Sequence, residues 1–267
     1  MNENIAAMRA LGPNLQEPSC DLNPSWMEED LRQARELQTL LLARKLAGAQ
    51  GLEIATGFRP APQVRGDIFE FFVCADGRVV VTLGDVSGKN AAAALYGAVV
   101  SGLLSIMVER LRRPAQLLQA LNEALVKRRI ESQCVSLLAL SWQADRRQLS
   151  VASAGANRPL FCRNGEVRRL DLGGVPLGLL EKREYDEASL KMEPHDLMVV
   201  CSDGIAEQES PDGQQYDGRA AQVLRNTRHQ SPKFIVDAIF ADLDRFAGQA
   251  ASHDRSDDQT LMVFKVT

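Results

Sequence analysis

The chain has 267 residues, 45% of them apolar and 25% charged, with a net charge of −4. That size and balance fit one large domain, or a domain with an appendage, around a sizeable core, and no Lys/Arg block marks a nucleic-acid footprint. Five cysteines, at positions 20, 74, 134, 162 and 201, form no CxxC pair, which argues against a disulfide scaffold or zinc knuckle and for a reducing cytosol.

Residues 1 to about 22 are polar, contain Pro13 and Pro18 and lack the apolar stretch of a secretory signal, so they read as a flexible lead-in. Ser25-Trp26-Met27-Glu28 matches a capping box. The helix it opens is expected to run to about Leu46, with Met27, Leu31, Ala34, Leu37 and Leu41 near heptad spacing and Gly48 as its stop. That stripe either packs on the adjoining domain or forms a dimerising, signal-carrying helix. The division expected is therefore a lead-in over 1–22, a regulatory or linker helix over 23–48 and the main domain over 49–267.

From Leu52 the pattern turns to strands. Leu52 to Arg59 is the first, and Asp67 to Cys74 and Arg78 to Asp85 flank Asp76-Gly77, read as a two-residue hairpin turn. Ala91 to Val108 carries no charge and is about as long as a minimal membrane span. Its Ala/Gly/Ser content, bounded by Lys89 and by Glu109-Arg110, favours a buried core helix instead. Helices are expected over about Asn90 to Arg110 and over Pro114 to Arg128, the second with proline in its first turn. Four or five more strands should lie between Cys134 and Ser202, with a hairpin at Asn164-Gly165. A helix begins near Ser231-Pro232 and ends near Gly248, and Thr260 to Val266 is the last strand. Strand runs with helices inserted between them indicate an α+β layered fold with antiparallel sheets.

The aspartates carry the chemistry. A two-residue turn at 76–77 sets Asp67 opposite Val86 and Asp85 opposite Ile68, so both carboxylates reach the open end of the hairpin. Like charges so placed repel unless a cation sits between them. Asp203 follows the apolar run Leu197 to Cys201, and Asp257-Asp258 precedes the final strand. If these strand ends converge, they make an oxygen-rich cage suited to Mg²⁺ or Mn²⁺. Local spacing alone does not require that convergence: Asp-Gly is most often a turn and Asp-Asp a solvated loop. The run Gly84 to Lys89 is not a P-loop, being one residue short, with Asn90 where Ser or Thr would hold magnesium.

Taken together, Arg59-Pro60-Ala61, Gly66-Asp67, Gly84-Asp85-Val86-Ser87-Gly88-Lys89, Ser153-Ala154-Gly155, Pro176-Leu177-Gly178, Ser202-Asp203-Gly204 and Asp257-Asp258-Gln259-Thr260 match a known order and spacing. Over about residues 33 to 267 the sequence resembles the bacterial PPM-type (PP2C-like) serine/threonine phosphatases of the SpoIIE/RsbU group. The resemblance implies a sandwich of two antiparallel sheets flanked by helices, here with an N-terminal helical extension, and two divalent cations, Mn²⁺ or Mg²⁺. It casts Asp85 as the carboxylate bridging both metals and Val86 as a backbone-carbonyl ligand of the second. Asp67 becomes that metal's carboxylate, Asp203 and Asp257 ligands of the first, and Asp258 and Gly204 supporting residues. The implied chemistry is hydrolysis of phosphoserine or phosphothreonine by a water that two cations activate and align.

The resemblance also implies a substrate, a phosphorylated STAS-type anti-sigma-factor antagonist in a partner-switching pathway, in the cytoplasm and without nucleic acid or membrane as partner. Only the lead-in precedes the 25–46 helix, so a partner or homodimerisation through that helix is the expected switch. Equal basal activity with and without residues before about 48 would count against it. Arg65 replaces a glycine usual in the group; being two residues from Asp67, it either grips the substrate phosphate or is an ordinary surface arginine. An unchanged Michaelis constant in Arg65→Ala would remove that role. Asn90, Ala156 and Asp217 also depart from the group's pattern and bear on loop geometry and substrate fit.

Two other readings compete. Cys162 and Arg168 have the Cys-x5-Arg spacing of cysteine phosphatases, but Asn164-Gly165 and Glu166 lie inside the interval. A non-catalytic binding module on the same fold is the second; it need not bind manganese and should keep its partner affinity in Asp85→Asn. His195, His229 and His253 have no zinc or triad spacing.

Overall fold

Apolar residues fill both faces of most strands, as a sheet covered on both sides requires. The computed structural model describes residues 49–61, 66–88, 91–128, 133–248 and 257–267, together with Glu29, residues 32–34 and Glu36. Its strands are β1 (Leu52–Arg59), β2 (Ile68–Val73), β3 (Val79–Val86), β4 (Val135–Gln143), β5 (Gln148–Ala154), β6 (Leu160–Arg163), β7 (Glu166–Arg169), β8 (Glu187–Lys191), β9 (Leu197–Cys201) and β10 (Gln259–Val266). Its helices are α1 (Ala91–Met107), α2 (Pro114–Arg128), α3 (Asp203–Ala206), α4 (Arg219–Thr227) and α5 (Pro232–Ala247). Two five-stranded sheets result, ordered β1-β10-β9-β6-β7 and β2-β3-β4-β5-β8, and every strand pairing is antiparallel.

The alternation in β9 shows how the layers stack. Met198 and Val200 point into the core between the sheets, against Phe71, Val81, Leu140 and Phe264. Leu197 and Val199 point outward onto α5, where Ile235, Ile239 and Phe240 cover them. On the far side, α1 and α2 lay Val100, Leu104, Leu118 and Leu121 over Ile68, Val80 and Ala139 of the other sheet. Each fully buried leucine contributes about 1.5–3 kcal/mol by leaving water. The order helix, sheet, sheet, helix is the expected sandwich. No helix among the described residues is long and apolar enough to cross a membrane; α1 buries one face, and Leu95 and Ile106 on the other are exposed.

Several expectations are corrected. Six strands, not four or five, lie between Cys134 and Ser202. Helices α3 and α4 add to the expected set; α4 follows Gly218, which has no side chain to cap it. α1 ends at Met107 rather than Arg110. Beyond that end, the buried Arg78 guanidinium donates to the carbonyl oxygens of Val108 (3.0 Å), Arg112 (3.4 Å) and Leu111 (3.5 Å), taking up acceptors that the helix leaves open.

The first hairpin has a different register. The loop is three residues, Ala75-Asp76-Gly77, closed by Gly77 N–H donating to Cys74 O (2.9 Å) and Cys74 N–H to Arg78 O (2.8 Å). Gly77 takes φ +80°, the left-handed conformation that a three-residue loop needs at its last position. Pairing therefore runs from Val73–Val79 to Ile68–Gly84, one residue away from the expected alignment.

The capping box at 25–28 and most of the predicted 25–46 helix lie outside the described residues. Glu29, residues 32–34 and Glu36 are helical and exposed.

Candidate metal centre

The corrected register improves the meeting of the first two carboxylates. Past Ile68 the pairing continues, with Val86 N–H donating to Gly66 O (3.2 Å). Asp67 thus comes level with Asp85 rather than diagonal to it, and opposed residues of an antiparallel pair share a face.

The second pair of acidic segments meets at the other sheet. Ser202 N–H donates to Thr260 O (2.9 Å); its hydroxyl donates to Asp258 O (3.0 Å) and accepts from Thr260 N–H (2.9 Å). These bonds lock the turn after β9 onto the start of β10. The approach is so close that a Cβ on Gly204 would stand 2.2 Å from Asp258 O, which is why glycine follows Asp203. Asp258 is itself buried, and its Oδ1 accepts from Ala61 N–H (2.5 Å), pinning the segment that follows β1.

Asp67 and Asp85 feel the charges of the other acidic residues. Burial, then the charges of Asp258, Asp85, Asp203 and Asp257, raise Asp67 well above the usual carboxylate range. Burial, then Asp203 and Asp257, push Asp85 up to about 7, against a Val86 backbone hydrogen bond that pulls it down. Asp67 is only 7% exposed, and neither of its carboxylate oxygens has a hydrogen-bond partner among the described residues. A buried carboxylate without a partner is costly, and a cation beside it removes that cost. The all-oxygen donor set suits hard divalent ions.

Among the described residues, no three His, Cys, Asp or Glu side chains already stand as a ligand set. Local backbone donors account for part of this. Asp203 Oδ1 accepts from Gly204 N–H (2.8 Å), and Asp257 Oδ1 from Asp258 N–H (3.0 Å). A cavity of about 180 Å³ opens beside Asp85 and Asp203, with Ser136, Gly155, Asn157 and Glu207 also in its wall.

Of the other positions singled out in the sequence, Arg65 and Asn90 lie outside the described residues. Ala156 lines the cavity, and Asp217 is paired with Arg169 (2.7 Å). Cys162 is buried in β6, opposite Val167 across a tight hairpin, and burial raises its thiol. The chain after it turns back as β7 instead of opening a helix, so the Cys-x5-Arg interval forms no phosphate cradle and the cysteine-phosphatase reading is overturned. His195 sits exposed in a turn at φ +72°. Sequence reasoning missed the double role of the Ser202 hydroxyl and that of Asn122, a buried amide that fixes the loop after Leu177. A polar residue on the Leu118-Leu121-Leu125 face of α2 was the available signal.

Two face-to-face antiparallel sheets between helix layers, with carboxylates from both meeting at one end, define the PP2C-like phosphatase fold. The model of the family described as Stage II sporulation protein E (SpoIIE) matches residues 75–267, and the chain belongs to that family. It is 24% identical over 189 residues to phosphoserine phosphatase RsbU of Bacillus subtilis (strain 168), covering 70% of this chain and 56% of RsbU; the chain thus spans little more than half of that relative. The solved SiaA-PP2C domain of Pseudomonas aeruginosa superposes with a TM-score of 0.77 at 22% identity, covering 91% of this chain and 98% of that one. The catalytic domain of the serine/threonine protein phosphatase PstP, solved in complex with two manganese ions, gives 0.58 at 14% identity over 81% of this chain and 98% of its own.

Proposed function

We propose that the chain is a metal-dependent protein serine/threonine phosphatase that takes two divalent cations, Mn²⁺ or Mg²⁺, and acts in the cytoplasm on a phosphorylated STAS-type anti-sigma-factor antagonist. The observation that carries this is Asp67, a buried carboxylate with both oxygens unpartnered among the described residues, level with Asp85 and within the field of Asp203, Asp257 and Asp258. The two manganese ions in the PstP structure and the phosphoserine phosphatase RsbU among the relatives support the same reading.

Asp67, Asp85, Asp203 and Asp257, with the Val86 carbonyl, would hold the ions. Bound there, the cations would supply Lewis-acid activation of water and counter-charge for the phosphoryl oxygens. The chain's own part is to set the geometry. The β2–β3 register holds Asp67 and Asp85 on one face, while the Ser202 hydroxyl and the close approach at Gly204 fix Asp203 against Asp257 and Asp258. The low-dielectric walls around Asp67 strengthen every charge interaction inside. Arg65 is retained as a grip on the substrate phosphate, and the 25–46 helix as the route by which self-association or a partner switches activity.

The test is phosphate release from a serine-phosphorylated STAS-domain protein with and without Mn²⁺. Activity should need the metal and fall by about 100-fold or more in Asp203→Asn, since even groups behind a metal's ligands are worth about 10–100-fold. Undiminished turnover in EDTA would sink the reading.

A further inference from the structure

Beside the cavity, the loop over residues 178–184 presents two adjacent leucines to solvent, Leu179 at 55% exposure and Leu180 at 50%. The loop is clamped. Leu177 is fully buried and exchanges two backbone hydrogen bonds with Val135 (3.0 and 2.8 Å). Asn122 of α2, only 1% exposed, accepts from Gly178 N–H (2.9 Å) and donates to Leu180 O (2.9 Å). Tyr185 returns the chain to the core.

Burying a primary amide is worthwhile only if its hydrogen bonds are met, and here a donor and the acceptor are both spent on holding this loop. Side chains on a loop already fixed lose less freedom when a partner covers them. Glu181, Lys182, Arg183 and Glu184 are exposed next to the leucines, so the patch has the apolar centre and charged rim of a protein-binding surface.

Its position fits a protein substrate of the carboxylate site. Val135, which pairs with Leu177, is also the register partner of Val86, the residue after Asp85. Two strand spacings put Leu177 about 10 Å from Val86. On the other side, Pro176 packs against Gly155 in the cavity wall. A small phosphate ester bound at the carboxylates would leave the leucines uncovered, whereas a folded protein delivering a phosphorylated side chain would reach across the neighbouring loop.

We infer that Leu179 and Leu180 form a docking ridge for an apolar surface of the folded STAS-type phosphoprotein beside its phosphorylated serine; this rests on the phosphatase reading. The experiment compares the parent chain with L179S/L180S on three substrates in Mn²⁺: the folded phosphorylated STAS protein, a short phosphopeptide cut from it, and p-nitrophenyl phosphate. The variant should lose about tenfold or more in kcat/KM on the folded protein, mostly through KM, with the two small substrates unchanged within about twofold. L179M/L180M should restore the loss. Unchanged kcat/KM on the folded protein, an equal fall on all three substrates, or a parent chain that turns over only the small ones would overturn the inference. A parent chain that hydrolyses none of the three would overturn the phosphatase reading itself, and the ridge with it.

Discussion

Asp67 and Asp85 are held in a fold that favours their protonated forms, burial being the first cause and the neighbouring carboxylates the second. In the unfolded chain both return to the ordinary carboxylate range near pH 4. Between there and the folded value of about 7 for Asp85, the native state therefore binds more protons than the unfolded one. Stability then falls as pH rises across that window. Asp76 and Asp242 shift the other way, Asp76 held low by Arg78 and Asp242, against the burial that raises it, by Arg219 with Tyr216, so their contribution is already complete above about pH 5. In EDTA the melting temperature should accordingly drop from pH 5 to pH 7.5, and Asp85→Asn should flatten the slope. A melting temperature that climbs over this interval would mean that the carboxylates are not buried together.

Elements were legible in the sequence wherever the determinant was local. Ser231 caps α5 with its hydroxyl accepting from Phe234 N–H (3.3 Å), and Gly248 ends it. Asn164-Gly165 closes a two-residue hairpin with both residues at positive φ. Asp76-Gly77 misled because Asp-Gly serves two-residue and three-residue loops alike, and the choice fixes the register. That strand ends far apart in sequence would converge was legible only through family resemblance, since no local pattern encodes the contact of β9 with β10. That contact yields a prediction with an internal contrast. Gly204→Ala puts a methyl against the Asp258 backbone at 2.2 Å and should destabilise by about 1–3 kcal/mol, with weaker Mn²⁺ binding. Gly102→Ala, in the exposed face of α1 with nothing within 4 Å, should instead stabilise by about 0.5–1 kcal/mol. Urea denaturation and manganese titration of the two variants check both signs.

At the scale of the molecule, the carboxylates belong to different layers. Asp67 and Asp85 lie at the β2 and β3 ends of one sheet, and Asp203, Asp257 and Asp258 at the β9 and β10 ends of the other. Without counter-charge their mutual repulsion opposes the packing of the two sheets at that end of the sandwich, while the apolar interior between them holds the rest. Under the proposed function, cations shared across the gap would turn the same charges into a clamp between sheets. Because the unfolded chain brings no such set together, the free energy of that binding would add to folding stability. It would amount to about 2.7 kcal/mol when free Mn²⁺ stands at 100 times its dissociation constant. Manganese should therefore raise the melting temperature and slow amide exchange at Val86 and Thr260 together, one in each sheet, more than at the distant hairpin 163–166. Asp203→Asn should lose both effects at once. Slowed exchange confined to one sheet would place the ion within a single layer and break the clamp.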